Sequence, residues 1–93
     1  MIACTVELFG VARLVAKTHE VSLDLERDAT FAHVFAALAG RIPTLIGKVI
    51  VADGMRLADG YACSRNGLEF VRDPAAPVNG GDVIAILAAD AGG

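Results

Sequence analysis

The sequence predicts a single α+β domain in which a mixed sheet of four or five strands has one main helix on one face. Three observations support this prediction: short stretches of alternating apolar and polar residues recur along the chain, one segment has helical spacing, and the 93-residue length suits one hydrophobic core. Because one helix can cover only one face of such a sheet, we expect the other face to be open.

Two alternating segments at the start of the chain are predicted to be strands. Residues 2–9 and residues 20–26 each place apolar side chains on one side and mostly polar ones on the other. Gly10 breaks the first strand, and residues 11–19, which contain Arg13, are predicted to form a loop or bend. Since short connections favour antiparallel neighbours, we expect the two strands to form a hairpin.

The main helix is predicted to begin at Asp28 or Thr30, because either residue is a suitable N-cap. Gly40 and Pro43 are expected to end it. We interpret its apolar stripe as the side that packs on the sheet rather than as a cofactor pocket. The residues of this stripe recur at helical spacing: Phe31, Val34, Phe35, Leu38 and Ile42.

The second half of the chain is predicted to contain three short strands. Residues 61–65 and 68–71 flank Asn66-Gly67, a strong signal for a tight hairpin turn. The last strand covers residues 83–88. Before them, residues 44–60 are interpreted as an irregular segment with one short helical turn and a brief extended piece.

These assignments divide the chain into two parts. Residues 1–88 are predicted to be the folded domain, and residues 89–93 a flexible C-terminal tail. Because the tail follows the last strand without a linker, its position depends on where that strand lies in the sheet.

The composition narrows the class of function. The formal net charge is −3 and basic residues do not cluster, so no nucleic-acid partner is expected. Apolar runs are shorter than the roughly 18 residues of a membrane span, and the N-terminus lacks the pattern of a signal peptide. We therefore expect a cytoplasmic protein without a membrane partner. No metal site is expected, because four residues lack the spacing of metal ligands: Cys4, Cys63, His19 and His33.

The chain ends on Gly92-Gly93, and this end is the strongest functional signal in the sequence. With 10 glycines in 93 residues, a Gly-Gly end has a chance of about one in a hundred. No paired carboxylates, Ser/His/Asp set or cysteine nucleophile competes with it as an active site. A terminal carboxylate without side chains around it can enter a narrow site of another protein. We therefore predict that the carboxylate of Gly93 is the reactive group, against the alternative of a functionless frayed end.

The last strand also indicates a possible partner surface. If Ile84 and Ile86 pack under the helix, the opposite face keeps four apolar residues: Phe9, Val83, Ala85 and Leu87. Apolar residues on an uncovered sheet face often mark a partner site, whereas scattered exposed apolar residues are also normal. Both interpretations stay open at this point.

Four short motifs occur in the same order as in a known family: Leu8-Phe9-Gly10-x-Ala12-Arg13, Asn66-Gly67, Gly81-Asp82-Val83 and the terminal Gly92-Gly93. In these motifs the chain resembles the MoaD/ThiS family of sulfur-carrier proteins, which have the ubiquitin-like β-grasp fold. Within that family it most resembles the small subunit of molybdopterin synthase. It departs from the pattern at Ala88-Ala89, where Pro-Pro is frequent, and at Arg65, where an apolar residue is common.

The resemblance implies a reaction at Gly93. An E1-like activating enzyme would use ATP to adenylate this carboxylate, and sulfur would then replace the adenylate to give a thiocarboxylate. In the molybdenum-cofactor branch, the large subunit of molybdopterin synthase would be the next partner. The chain would bind no cofactor and act as a sulfur-donating co-substrate. Gly92 would keep the approach free of side chains, and the partner-binding residues would be Phe9, Arg13, Val83, Ala85 and Leu87.

Three other classes of function stay open. The chain could carry sulfur to another acceptor, in thiamine, cysteine or tRNA thiolation. It could be a ubiquitin-like modifier, with Gly93 joined to lysines of target proteins, or an interaction module with an inert tail. A β-grasp ferredoxin is excluded, because two cysteines cannot hold a cluster that needs four.

Overall fold

The structure is a computed structural model that describes residues 1–89. These residues form a five-stranded mixed sheet, two α-helices and one 3-10 turn, which confirms the predicted α+β class. In chain order the elements are β1 (Ile2–Leu8), α1 (Gly10–Ala16), β2 (Glu20–Leu25), α2 (Phe31–Arg41), the 3-10 turn (Pro43–Leu45), β3 (Tyr61–Arg65), β4 (Glu69–Val71) and β5 (Val83–Ala88). No helix among them is long and apolar enough to cross a membrane.

The sheet has the strand order β2-β1-β5-β3-β4, so β5 is its central strand. β1 and β2 pair antiparallel, which confirms the predicted hairpin, and β1 also pairs parallel with β5. β3 lies antiparallel to both β5 and β4. Because β1 and β5 run in the same direction, their C-terminal ends meet at the same edge of the sheet.

The hydrophobic core lies between α2 and one face of the sheet. The stripe interpreted as the packing side of α2 is confirmed: Phe31 and Phe35 are buried, and their rings meet edge to face with centroids 6.3 Å apart. Thr30 rather than Asp28 is the N-cap. Its backbone N–H donates to Nδ1 of His33 at 2.9 Å, which satisfies one of the free donors at the start of the helix.

The loop predicted for residues 11–19 is wrong over most of its length, because α1 covers Gly10–Ala16. Ala12 is fully buried and anchors this helix on the core. The helix ends at Lys17, which has a left-handed backbone (φ +60°) and donates its N–H to the carbonyl of Arg13 at 2.9 Å. Two helical turns are too few for a periodic signal to stand out in the sequence.

The segment from 44 to 60 is irregular, as predicted. The 3-10 turn is its short helical part, and an isolated antiparallel bridge between Ile50 and Leu57 is its extended part. The segment nevertheless completes the core, because it contributes three fully buried side chains: Leu45, Val49 and Ile50.

Candidate functional site: the uncovered sheet face and the root of the tail

The sheet face opposite α2 carries apolar side chains along β5. Ile84 and Ile86 point to the other side and are fully buried in the core. The alternate residues of β5 are half-buried on the uncovered face: Val83, Ala85 and Leu87. The structure therefore places these three predicted residues together on one surface.

Phe9 extends this surface at the end of β1. Its backbone is extended, and its N–H donates to the carbonyl of Ile86 at 3.1 Å. Side chains alternate between the two faces of a strand, and Leu8 points into the core, so Phe9 points to the uncovered face. There, 49% of Phe9 is exposed. The β1–β5 register, continued by one residue, sets Phe9 opposite Leu87.

Phe70 also belongs to the uncovered face, although the sequence did not predict it. Phe70 pairs with Ser64, and Ser64 pairs with Ala85, so these residues share one side of the sheet. Phe70 is 63% exposed, which is unusual for an aromatic side chain. The signal that could have identified it is the alternation of Leu68 and Phe70 with the charged Glu69 after the hairpin turn.

The half of the face formed by β1 and β2 is acidic. Glu7 and Glu20 are direct cross-strand partners, and Asp24 lies opposite Ala3. Like charges at such positions repel and cost stability. In the part of the chain that the structure describes, neither Glu7 nor Glu20 forms an ion pair with a basic side chain. The uncovered face is thus divided into an apolar half and an acidic half.

Arg13 lies on α1 instead of in the predicted loop. It lines a shallow cleft on the outside of this helix together with Leu14 and Lys17. Since α1 contacts β5 and follows directly after Phe9, this cleft lies towards the sheet edge at which β5 ends. Phe9 and Arg13 are therefore near that edge, on two different surfaces.

Asp82 organises the opposite end of β5. Its carboxylate is buried and accepts the backbone N–H of Asn79 at 2.9 Å, the side-chain amide of Asn66 at 3.1 Å and the guanidinium of Arg65 at 3.4 Å. Asn66 in turn accepts the N–H of Val83 at 2.7 Å. The Asn66-Gly67 and Gly81-Asp82 motifs therefore form one structural unit that fixes the start of β5.

Arg65 has a structural role that its sequence position did not reveal. Its guanidinium carbon lies 5.1 Å from the ring centroid of Phe31, which is within cation–π distance. One terminal nitrogen donates to the carbonyl of Pro77 at 2.8 Å. Its Nε lies 3.2 Å from Glu69 Oε1, a close ion pair without hydrogen-bond geometry. Arg65 thus joins β3 to α2 and to the segment before β5.

The two cysteine thiols are buried and are poorly suited to act as nucleophiles. Burial raises the pKa of Cys63 to about 11, and this thiol donates to the carbonyl of Val71 at 3.3 Å. Burial, with the nearby carboxylates of Asp82 and Asp24, also raises the pKa of Cys4. A protonated thiol neither attacks nor ligates efficiently. Among residues 1–89, no group of three His, Cys, Asp or Glu side chains could hold a metal ion.

β5 leads directly into the C-terminal tail. The backbone N–H of Ala89 donates to the carbonyl of Gly60 at 2.8 Å, one residue beyond the pair formed by Ala88 and Tyr61. A proline at position 89 could not make this bond, because it has no N–H. Gly92 and Gly93 lie outside the residues that the structure describes, so their predicted roles stay predictions.

The fold is that of a ubiquitin-like protein with the β-grasp architecture. Its mixed sheet has the last strand at the centre, one main helix packs across one face, and the other face is uncovered and partly apolar. The family model of the ThiS family matches residues 6–93. The chain therefore belongs to the ThiS family, within the class of ubiquitin-like sulfur carriers and modifiers, which confirms the resemblance noted in the sequence.

Several solved structures have the same fold. SAMP1 from Haloferax volcanii is 31% identical with a TM-score of 0.83, over 98% of this chain and 99% of that chain. Small archaeal modifier protein 1 from Methanosarcina acetivorans is 27% identical with a TM-score of 0.72, over 100% and 98%. A protein described as molybdopterin converting factor subunit 1, from Pyrococcus furiosus, shares the fold at 18% identity and a TM-score of 0.75, over 95% and 98%. Among curated proteins, none matches significantly.

Proposed function

We propose that this chain carries sulfur on its terminal Gly93 and donates it in molybdopterin synthesis. An E1-like activating enzyme adenylates the carboxylate with ATP, and the thiocarboxylate is formed from the adenylate. The observation that carries the proposal is a family match that extends over the Gly-Gly end. Among the described residues, both cysteine thiols are buried and therefore do not compete with Gly93 as nucleophiles.

The chemistry explains why an activating enzyme is needed. A carboxylate is a poor electrophile, so its oxygen must first be converted into a leaving group. ATP supplies this group: adenylation releases pyrophosphate, and attack by a sulfur nucleophile at the carbonyl carbon then releases AMP. The sequence has no phosphate-binding loop of its own, so the ATP site belongs to the partner.

The uncovered face supports a docking role during this reaction. Its apolar half contains Phe9, Leu87 and Phe70, and the first two lie beside the end of β5. A partner that covers this surface would also hold the root of the tail. Burial of one large apolar side chain contributes about 1.5–3 kcal/mol, so a few such contacts suffice for specific binding.

The molybdopterin branch is supported by the Phe9-Gly10-x-Ala12-Arg13 motif, which resembles the small subunit of molybdopterin synthase. Phe9 is exposed at the end of β1, and Arg13 is exposed on α1 close by. These side chains are available to a large subunit that receives the tail. Co-purification with a larger, pterin-binding subunit would distinguish this branch from other sulfur acceptors.

Intact mass spectrometry tests the proposal. After incubation with the activating enzyme, ATP and a sulfur donor, the chain should gain the mass difference between one sulfur and one oxygen atom. A variant that lacks Gly93 should fold normally and gain nothing. An unchanged mass of the wild-type chain, under conditions that convert a known carrier, would refute the carrier function.

A second function, protein modification, is supported by the similarity to SAMP1 at 31% identity. In that function, the activated Gly93 forms an isopeptide bond with a lysine amine of a target protein, and AMP leaves. Adducts of higher mass that contain this chain on target lysines, absent without Gly93, would support modification. The two functions share the adenylate and differ only in the nucleophile that attacks it.

A further inference from the structure

One row of residues crosses the uncovered face from edge to edge, and we call it the transverse row. The cross-strand pairs connect one residue of each strand, in the sheet order β2-β1-β5-β3-β4. Its members, in that order, are Glu20, Glu7, Ala85, Ser64 and Phe70. Neighbouring strands lie about 4.8 Å apart, so the row extends about 19 Å across the sheet.

The transverse row changes its chemistry along its length. Two carboxylates lie at the β2 edge, two small residues form the middle, and an exposed aromatic ring lies at the β4 edge. Because Ala85 and Ser64 have short side chains, a partner can approach the backbone closely at the middle of the row. Its own side chains then meet two chemically different ends.

The acidic end carries an unfavourable interaction in the free chain. Glu7 is half-buried and lies directly opposite Glu20, and like charges so placed destabilise a sheet. Within residues 1–89 neither carboxylate has a basic side chain at ion-pair distance. None of the described strand positions on this face is Lys or Arg. A partner that supplies positive charge here would therefore relieve a repulsion as well as form an attraction.

The transverse row lies close to the place where the tail begins. Glu7 pairs with Ala85, and β5 continues from Ala85 to Ala88 before it reaches Ala89. Four residues of extended chain span about 13 Å. A protein that covers the row is therefore near enough to receive the chain that leaves β5.

We propose that the activating enzyme docks on the transverse row, with basic side chains over β1 and β2 and apolar side chains over β3 and β4. This inference rests on the proposed function, in which that enzyme brings the Gly93 carboxylate to ATP. Two anions are held together only where a protein surrounds them with positive charge. The acidic end of the row is complementary to such a surface. The different chemistry of the two ends fixes one orientation of the complex.

The two ends of the row act on different steps of binding. Phe70 contributes through burial of apolar area in the formed complex. Glu7 and Glu20 act before contact, because complementary charges steer the encounter and raise the association rate. Salt screens this steering. The acidic end therefore controls the salt-dependent part of the association rate.

Binding kinetics with the purified activating enzyme, without ATP, test the docking. Glu7→Gln/Glu20→Gln removes both charges and keeps the size of the side chains. The matched control, Glu26→Gln/Asp28→Asn, removes two charges from exposed positions in the loop between β2 and α2. At about 50 mM salt, the row variant should associate roughly tenfold more slowly than wild type, and the control within about twofold. At about 500 mM salt, the three rates should converge.

Urea unfolding of the free chain gives a second measurement without any partner. At low salt, Glu7→Gln/Glu20→Gln should unfold at a higher urea concentration than wild type, because the cross-strand repulsion is removed. Added salt should reduce this difference. A variant that is more stable and yet associates more slowly shows that the carboxylates serve the encounter and not the fold.

Four results would overturn the proposal: no binding of the wild-type chain to the activating enzyme, an unchanged association rate in the row variant, an equal loss in the control, or a row variant less stable than wild type. Slower association with the acceptor subunit alone would assign the row to that partner and would also overturn it. The test is separate from the sulfur-carrier function. A wild-type chain that binds as expected but gains no sulfur mass would refute the carrier function and not the docking.

Discussion

The side-chain amide of Asn66 donates to Oδ1 of Asp82 at 3.1 Å, and this bond joins the β3–β4 turn to the start of β5. Asp82 is only 5% exposed, so its carboxylate depends on donors from the protein instead of water. Asn66 and Gly67 both have positive φ angles, as a tight hairpin turn requires. The central strand that leads to the tail is therefore fixed through a turn on a neighbouring hairpin.

Replacing Asn66 with glycine should lower the free energy of unfolding by about 1–3 kcal/mol, because the buried carboxylate of Asp82 loses a donor and the N–H of Val83 loses an acceptor. Glycine tolerates the positive φ at this position, so the change isolates the side chain. Urea unfolding followed by circular dichroism measures the effect. Asn79→Gly is the control, since only its backbone contacts Asp82, and it should cost less than about 1 kcal/mol. Equal losses in both variants would contradict the role of the amide.

Arg65→Leu should cost about 2–3 kcal/mol, although an apolar residue is common at this position in the resembling family. The change removes the pairing with Asp82 and the bond to the Pro77 carbonyl. Arg65→Lys should restore only part of the stability, because an ammonium lacks the planar fork. Thermal or urea unfolding distinguishes these outcomes. If Arg65→Leu were as stable as the wild type, the predicted contribution of Arg65 to the stability of the fold would be contradicted.

Phe70→Ser should weaken binding to the activating enzyme or the acceptor subunit by about 10- to 100-fold, which corresponds to the burial of one aromatic side chain. Because Phe70 is exposed in the free chain, the substitution should change the free energy of unfolding by less than about 0.5 kcal/mol. Titration calorimetry measures the affinity. The matched control is Ile46→Ser, an exposed apolar position just after the 3-10 turn. If only the Ile46→Ser control lost affinity, the partner would bind near the 3-10 turn, and the role of Phe70 in the interface would be contradicted.

Alkaline pH should destabilise the fold through Cys63. Its pKa is raised from 9.0 to about 11, so the folded state favours the neutral thiol. The stabilisation of the folded state by the neutral Cys63 thiol is fully present below pH 9, where the thiol is protonated in both the folded and the unfolded chain. It is lost as the pH rises to about 11. The decline should approach 1.4 kcal/mol per pH unit within that window.

Urea unfolding at several pH values, on wild type and Cys63→Ala, measures this decline. The variant should show a shallower slope but not a flat one, because the raised pKa of Cys4 acts in the same direction. Identical slopes in the two proteins would contradict the assignment to Cys63. A thiol reagent at pH 8 gives a second check: both cysteines should react slowly in the folded chain and rapidly after unfolding.

The sequence predicted the elements whose periodicity repeats often enough to be recognised. β2 shows three cycles of alternation, and the apolar stripe of α2 spans three helical turns. The ends of both elements were therefore predicted to within one or two residues. α1 has only two turns and starts at a glycine that resembles a strand end. Its prediction as a loop was therefore wrong.

Other features depend on residues that are distant in sequence. The exposure of Phe70 follows from the pairing of β4 beyond β3, which a three-residue strand does not signal. The role of Arg65 requires Asp82 and Phe31 at its sides. The reactive role of Gly93 lies beyond the described residues and stays a prediction.

The central position of β5 has a mechanical consequence. A pull on the C-terminus acts along the strand axis and loads the hydrogen bonds to β1 and β3 in shear, so that many must break together. An edge strand pulled sideways would instead peel away one bond at a time. Tension exerted by a partner on the last residues is therefore borne by the middle of the sheet, and the domain stays folded while its end is drawn out.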